Sequence, residues 1–214
     1  MSTFNHNHFF AYSISIFIGL LFAMSVHAQV VINEIQLAGQ TSKDEFAELY
    51  NNGDSATDVT GWRLTKKTAA GNEANLVTTF PSMSIAAHGF LLIAHPTDYK
   101  GSVLSDLVYS TSNTIADDNT IILYRDAGDT VVDRVGLGKA TDREGSTAVN
   151  PDPGQSVSRR DGTDTNDNSR DFSVVVPSPT NRSGSIGSTP PPPSSSLPQI
   201  TNSNPNESTQ STSS

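Results

Sequence analysis

The sequence has no cysteine. That excludes a thiol nucleophile, a cysteine zinc site, an iron–sulfur cluster, a lipidated N-terminal cysteine and any disulfide. A domain meant for an oxidising compartment must then be held together by its core alone, and 214 residues are enough to build one. Basic side chains are also scarce: 13 Lys and Arg stand against 22 Asp and Glu, for a net charge of −9. Neither end carries that charge. No charged side chain precedes Gln29, and Glu207 is the only one after Arg182. The acidity therefore belongs to the middle of the chain, where it repels phosphate backbones and anionic membrane surfaces. Nucleic acid is not expected as a partner, nor is a membrane once a leader is removed. Cation binding or a basic partner is compatible with this charge. Helical periodicity over several turns is absent too, as are internal repeats.

What is present begins with an address. Phe9 to Val26 reads FFAYSISIFIGLLFAMSV and is followed by His27-Ala28, with small residues at the two positions a signal peptidase inspects. Residues 1–28 are read as a secretory signal cleaved after Ala28. The n-region has no Lys or Arg, and the run is just long enough to span a bilayer, so an uncleaved anchor is the alternative. Both place the rest of the chain outside the cytoplasm, in the medium, the periplasm or the cell envelope.

Residues 29–182 are expected to fold, and 183–214 to form a disordered tail. From Ser183 on, Gly, Ser, Thr, Asn and Pro dominate, with Pro190 to Pro193 in a row. Such a stretch cannot bury enough apolar surface to offset its ordering entropy. The middle reads as short β-branched runs separated by Gly, Asn, Asp or Pro. The first strands are expected at 30–37 and 45–51, with Phe46 and Tyr50 on one face of the second and Ala47 and Leu49 on the other. Others are expected at 62–66, 76–80, 89–95, 107–110, 120–125, 130–137, 155–160 and 171–176. Repeated short strands of this kind predict an all-β sandwich or barrel.

Several patterns carry a resemblance. Val31-Ile32-Asn33-Glu34-Ile35 is followed by Asp44-Glu45-Phe46-Ala47-Glu48-Leu49-Tyr50-Asn51, then by Asp58-Val59-Thr60-Gly61-Trp62-Arg63-Leu64. Ser156 to Arg159, Asp161 to Asn168 and Asp171-Phe172 come near the end. In this order and spacing the chain resembles the lamin-tail domain in its exported bacterial form, from about Val30 to Asn181. The resemblance implies an immunoglobulin-like β-sandwich without enzymatic activity. It also implies extracellular neighbours in some relatives, including nucleases and phosphatases. No heptad segment is present, so filament assembly does not carry over.

The candidate chemistry is thin. Glu34 and Glu48 lie on neighbouring segments and suggest a carboxylate pair for acid/base work. The simpler expectation is two strand carboxylates in solvent or paired with Lys43 or Arg63. His88 and His95 bracket one strand and are expected to be exposed at its ends; no Gly-x-Ser-x-Gly elbow accompanies them. Gly136-Leu137-Gly138-Lys139 lacks the spacing of a phosphate loop. Asp161 to Asp171, DGTDTNDNSRD, has the oxygen density of a calcium loop but not EF-hand spacing. Its simpler role is a surface loop rich in Asx turns. Trp62 is expected in the core. No catalytic, cofactor-binding or metal-ligating residue is assigned, and no cofactor is expected.

The function expected is a non-catalytic interaction or scaffold module. Its partner would be an extracellular or envelope protein or a polysaccharide. The alternatives are an accessory domain of an extracellular hydrolase and a calcium-stabilised adhesion domain.

Overall fold

Val30 and Ile32 share a face of an extended strand, and so do Ile35 and Leu37, yet the spacing between the two pairs is odd. An extra residue must be absorbed for all four to face one core. Asn33 supplies it. The register with the neighbouring strand shifts between Ile32 and Glu34, which keeps the four aliphatic residues in the core and turns Glu34 to the opposite face.

The computed structural model describes residues 29–184, apart from Ala127 and Asp129. The expected signal segment and nearly all of the expected tail lie outside the described residues. Six strands come first: β1 (Val30–Gln36), β2 (Phe46–Asn51), β3 (Thr57–Asp58), β4 (Arg63–Lys67), β5 (Glu73–Val77) and β6 (Ser84–Ile85). Then follow β7 (Phe90–Ala94), β8 (Leu107–Val108), β9 (Thr120–Tyr124), β10 (Val131–Gly136), β11 (Ser156–Arg159) and β12 (Phe172–Val175). A 3₁₀ turn at Arg160–Gly162 and a one-turn helix α1 at Asn168–Asp171 join the last two.

The strands form a six-stranded sheet, β12-β11-β1-β2-β7-β8, facing a four-stranded sheet, β10-β9-β4-β5, with β3 and β6 as a small separate pair. This is an immunoglobulin-like β-sandwich, as the sequence led one to expect. Ile32, Ile35, Leu49, Leu91 and Ile93 from the first sheet meet Leu64, Ile121, Leu123 and Val135 from the second. Trp62 is buried among them. The strand expected at 76–80 lies earlier, at Glu73–Val77. It is an edge strand with exposed Glu73 and Asn75, so its polar half carried no apolar signal. Phe80 still reaches the core, from a loop whose backbone N–H donates to Trp62 O at 2.7 Å.

The outer face of the six-stranded sheet is covered as well. Phe46, Leu92 and Ala94 pack there against Val103 and Tyr99, from the loop between β7 and β8. After β12 the chain turns back as a strap across this face. The Ser178 N–H reaches Glu34 on β1 at 3.0 Å, and the Thr180 N–H reaches Glu48 on β2. The Arg182 N–H then reaches Asp106 at 2.9 Å, and the same carboxylate accepts from Leu92 N of β7. The strap thus crosses β1, β2 and β7 in turn, pinned at each crossing by a carboxylate.

Candidate functional site

Glu34 and Glu48 are direct cross-strand partners, and both are buried. The expectation that they would be solvated or paired with Lys43 or Arg63 is corrected. The bulge at Asn33 turns Glu34 outward beside Glu48, and the strap then closes over both. Glu34 accepts from Ser156 Oγ, from the Ser178 N–H and, at 3.4 Å, from Ser178 Oγ. Glu48 accepts from Asn33 Nδ2 at 2.7 Å and from the Thr180 N–H. Arg63 lies on the other sheet, stacked 3.8 Å over the Tyr124 ring. Burial raises both carboxyls, Glu48 to about 8, with the neighbouring Glu34 charge adding to the effect. Such a pair resembles an acid/base site, but its acceptor positions are filled by strap and sheet donors. Neither residue lines the clefts described below.

The Asp-rich loop is organised by one guanidinium. Arg159, at the end of β11, has a fully buried side chain. It donates from Nη2 to both oxygens of Asp133, at 3.0 and 2.9 Å, and from Nη1 to Asp171 at 2.8 Å and Asp164 at 3.3 Å. Its Nε–H reaches Ile32 O at 3.0 Å, and Phe172 lies under the guanidinium at 4.7 Å. The remaining oxygens satisfy backbone. Asp164 takes the Asn166 N–H, and Asp171 takes Thr165 N and Oγ1. Asp167 caps α1 through the Ser169 N–H, and buried Asn168 bridges Gly136 N and Arg134 O. Of the loop's acidic residues, Asp161 is the exposed one left outside these bonds.

Asp133, Glu144 and Asp164 approach closely enough for their oxygens to share an ion. Arg159 already occupies two of the three. Burial first, then Asp133 and Asp164, push Glu144 up to about 8. The guanidinium does here what calcium does in oxygen-rich loops. Millimolar calcium is therefore expected to leave the thermal midpoint unmoved. A clear upward shift in a calcium titration would show a site that this arrangement does not contain.

The two histidines part ways. His95 was expected to be exposed but is buried, because the β7–β8 loop folds over it. Its Nδ1 accepts the N–H groups of Thr97 and Asp98, and its ring meets Tyr109 edge-on at 5.6 Å. His88 is exposed, as expected, in a left-handed turn at φ 53°. Its Nε2 lies 3.1 Å from Asp54 Oδ1 and its Nδ1 3.3 Å from Tyr50 Oη. Tyr50 in turn packs against Phe90, with ring centroids 4.9 Å apart. Tyr50, His88 and Phe90, with Asn33, Arg159, Asp161 and Gly162, line a cleft of about 380 Å³ at one end of the six-stranded sheet. The cleft gathers two residues that the sequence singled out, His88 and Asp161. It adds Asn33, Tyr50 and Phe90, which the sequence presented only as strand residues. The Gly136 to Lys139 segment takes no part. Its N–H groups are bound to Asn168, Asn119, Ala148 and Asp118.

The cleft offers aromatic rings, an imidazole, an amide and one carboxylate, Asp161, while Asp54 pairs with His88 from outside the lining. Its hydroxyl, Tyr50 Oη, lies 3.3 Å from His88 Nδ1, and the aromatic, amide and carboxylate groups around it are of the kind that recognise a ligand.

Residues 23–139 match the family model described as Lamin Tail Domain. Among solved structures, the chain is similar to the crystal structure of a DUF4876 family protein from Bacteroides thetaiotaomicron. The TM-score is 0.52 at 15% identity, over 71% of this chain and 72% of that one, which shows a shared fold. No curated protein matches the sequence.

Proposed function

The chain belongs to the lamin tail domain family, and on that footing we propose that it is an exported, non-catalytic interaction module for an envelope protein or polysaccharide. The observation that supports this reading is where the carboxylates go. Glu34 and Glu48 hold the strap, and Asp133, Asp164 and Asp171 hold Arg159. The cleft around Tyr50, Phe90 and His88 stays open to solvent as a contact surface, presented on a rigid sheet.

Fractionation tests the place: the mature chain should begin at Gln29 and be found in the medium, periplasm or envelope. Binding to purified envelope polysaccharide and to envelope protein tests the surface. His88→Gly suits the left-handed turn and should keep the fold, while weakening that binding by about tenfold, as loss of a central contact does. A hydrolase screen giving turnover that disappears in Glu48→Gln would overturn the non-catalytic assignment.

A further inference from the structure

At the other end of the six-stranded sheet, where β1 ends and β2 begins, lies a larger cavity of about 580 Å³. Leu37, Ala38, Ile115 and Pro151 give it an apolar wall, Ser42, Thr114 and Asn150 a polar one, and Asp117, Asp152 and Lys43 stand on its rim. Glu45 borders it from within and is fully buried.

The Glu45 carboxylate is half satisfied. Its Oε2 accepts from Tyr109 Oη at 2.5 Å and from the Ile115 N–H at 2.6 Å. Its Oε1 has no donor. Among the described residues, Glu45 is the one buried carboxylate with an oxygen left in this state; Glu34, Asp44, Glu48, Asp133, Asp164 and Asp171 are not. A buried acceptor without a donor is costly and rare in native domains. Its neighbour His95, whose N–H donates to Glu45 O at 3.1 Å, carries a second unpaired atom, Nε2. This fold fills its other acidic cluster with its own guanidinium. Here it supplies none.

We propose that this cavity is a binding site for an organic cation, an ammonium or guanidinium on a short aliphatic stem, whose N–H groups complete Glu45 Oε1. The apolar wall takes the stem and the carboxylates take the head, as for a lysine or arginine side chain. Three carboxylates against Lys43 on the rim and Lys66, which acts on Glu45 through space, still leave the site negative, which suits that charge and repels anions. The cation comes either from a free amine or from a basic residue on a partner protein. This site is separate from the Tyr50 cleft and stands or falls independently of it.

Calorimetric titration of the full chain with blocked lysine amide and blocked arginine amide tests the proposal, with the norleucine and citrulline amides as neutral counterparts. At least one cation should bind about tenfold or more tighter than its neutral counterpart, with affinity falling as salt rises. Glu45→Gln should abolish the difference. Should that variant fail to fold, Asp117→Asn with Asp152→Asn, both on the exposed rim, should weaken binding several-fold with the melting temperature unchanged. A lysine flanked by glycines binding tighter than the blocked amide assigns the cation to a protein partner, and equal binding assigns it to a free amine. Equal binding of charged and neutral probes, or no binding at tens of millimolar, would mean that Oε1 faces only an enclosed water and would overturn the proposal.

Discussion

Thermal stability of the domain is expected to be highest in mild acid and to fall steadily as pH rises from about 4.5 to about 8. The main cause is Glu48. Its carboxyl titrates near 8 in the folded chain against an ordinary 4.5, chiefly because it is buried. A group whose folded pKa is raised gives its full stabilisation below the unfolded value and loses it as pH climbs to the folded one. At 1.36 kcal/mol per pH unit the loss from this one side chain approaches roughly 5 kcal/mol, the lower end of a typical domain's whole stability. Glu144, less buried, is pushed up to about 8 too, and Glu34, Glu45 and Asp133 are raised by burial, so all four act in the same direction. At the acid end the trend reverses. Hydrogen bonds from Asn150 and Ser169 hold Asp118 and Asp167 low, and those bonds weaken once the carboxylates are protonated. Glu48→Gln should make the alkaline limb shallower, with Glu144 and the other raised carboxyls still sloping it, leaving a variant less stable than wild type in acid but more stable at pH 9. Melting curves across pH check this. A wild type whose midpoint is flat from pH 5 to pH 9 would contradict the account.

The second large effect is at Arg159. Replacing it with methionine leaves Asp133, Asp164 and Asp171 buried around a neutral side chain. Removing one partner of a buried ionic cluster costs about 3–5 kcal/mol. Arg159 also serves Ile32 O and Thr163 O, so carbonyls are orphaned with the carboxylates. Arg159→Met is therefore expected to accumulate poorly or to unfold at much lower urea. Arg159→Lys should recover little, because a single ammonium cannot span acceptors arranged for a planar fork. Urea unfolding of the two variants beside Arg170→Lys, an exposed position, makes the comparison. Equal midpoints for Arg159→Met and wild type would show that the cluster holds nothing together.

Much of this architecture was legible in the residues. The alternation Phe46, Glu48, Tyr50 against Ala47, Leu49 predicted the two faces of β2, and the short β-rich runs predicted a sandwich. Read as sequence, 30–37 is one uninterrupted strand without the bulge at Asn33, and the shift shows only in the register with β2. The bulge turns Glu34 outward by itself, but the carboxyl is buried there only because something covers the outer face, and nothing near Glu34 in the chain says that Ser178 and Thr180 will. The same distance hid the histidines' difference. His88 and His95 look alike as strand flanks, but a loop of β7–β8 residues buries one of them. The Asp-rich loop was misleading for a related reason. Its oxygens suggested a metal, while the cation that answers them, Arg159, sits a few residues upstream on a strand where sequence reads it as an ordinary polar position.

The strap also bears on when the molecule can finish folding. Glu48 waits for Thr180, and Glu34 for Ser156 and Ser178, partners more than a hundred positions downstream. The strand β11 that completes the centre of the larger sheet is itself paired with β1, the first strand. Contacts of such separation are slow to form and come late. A nascent chain emptied of its last segment cannot close the sheet over its paired carboxylates, so it remains loose until nearly all of it is available. If the chain is exported as proposed, and crosses unfolded, that delay would keep it in a transportable state until the strap has emerged on the far side.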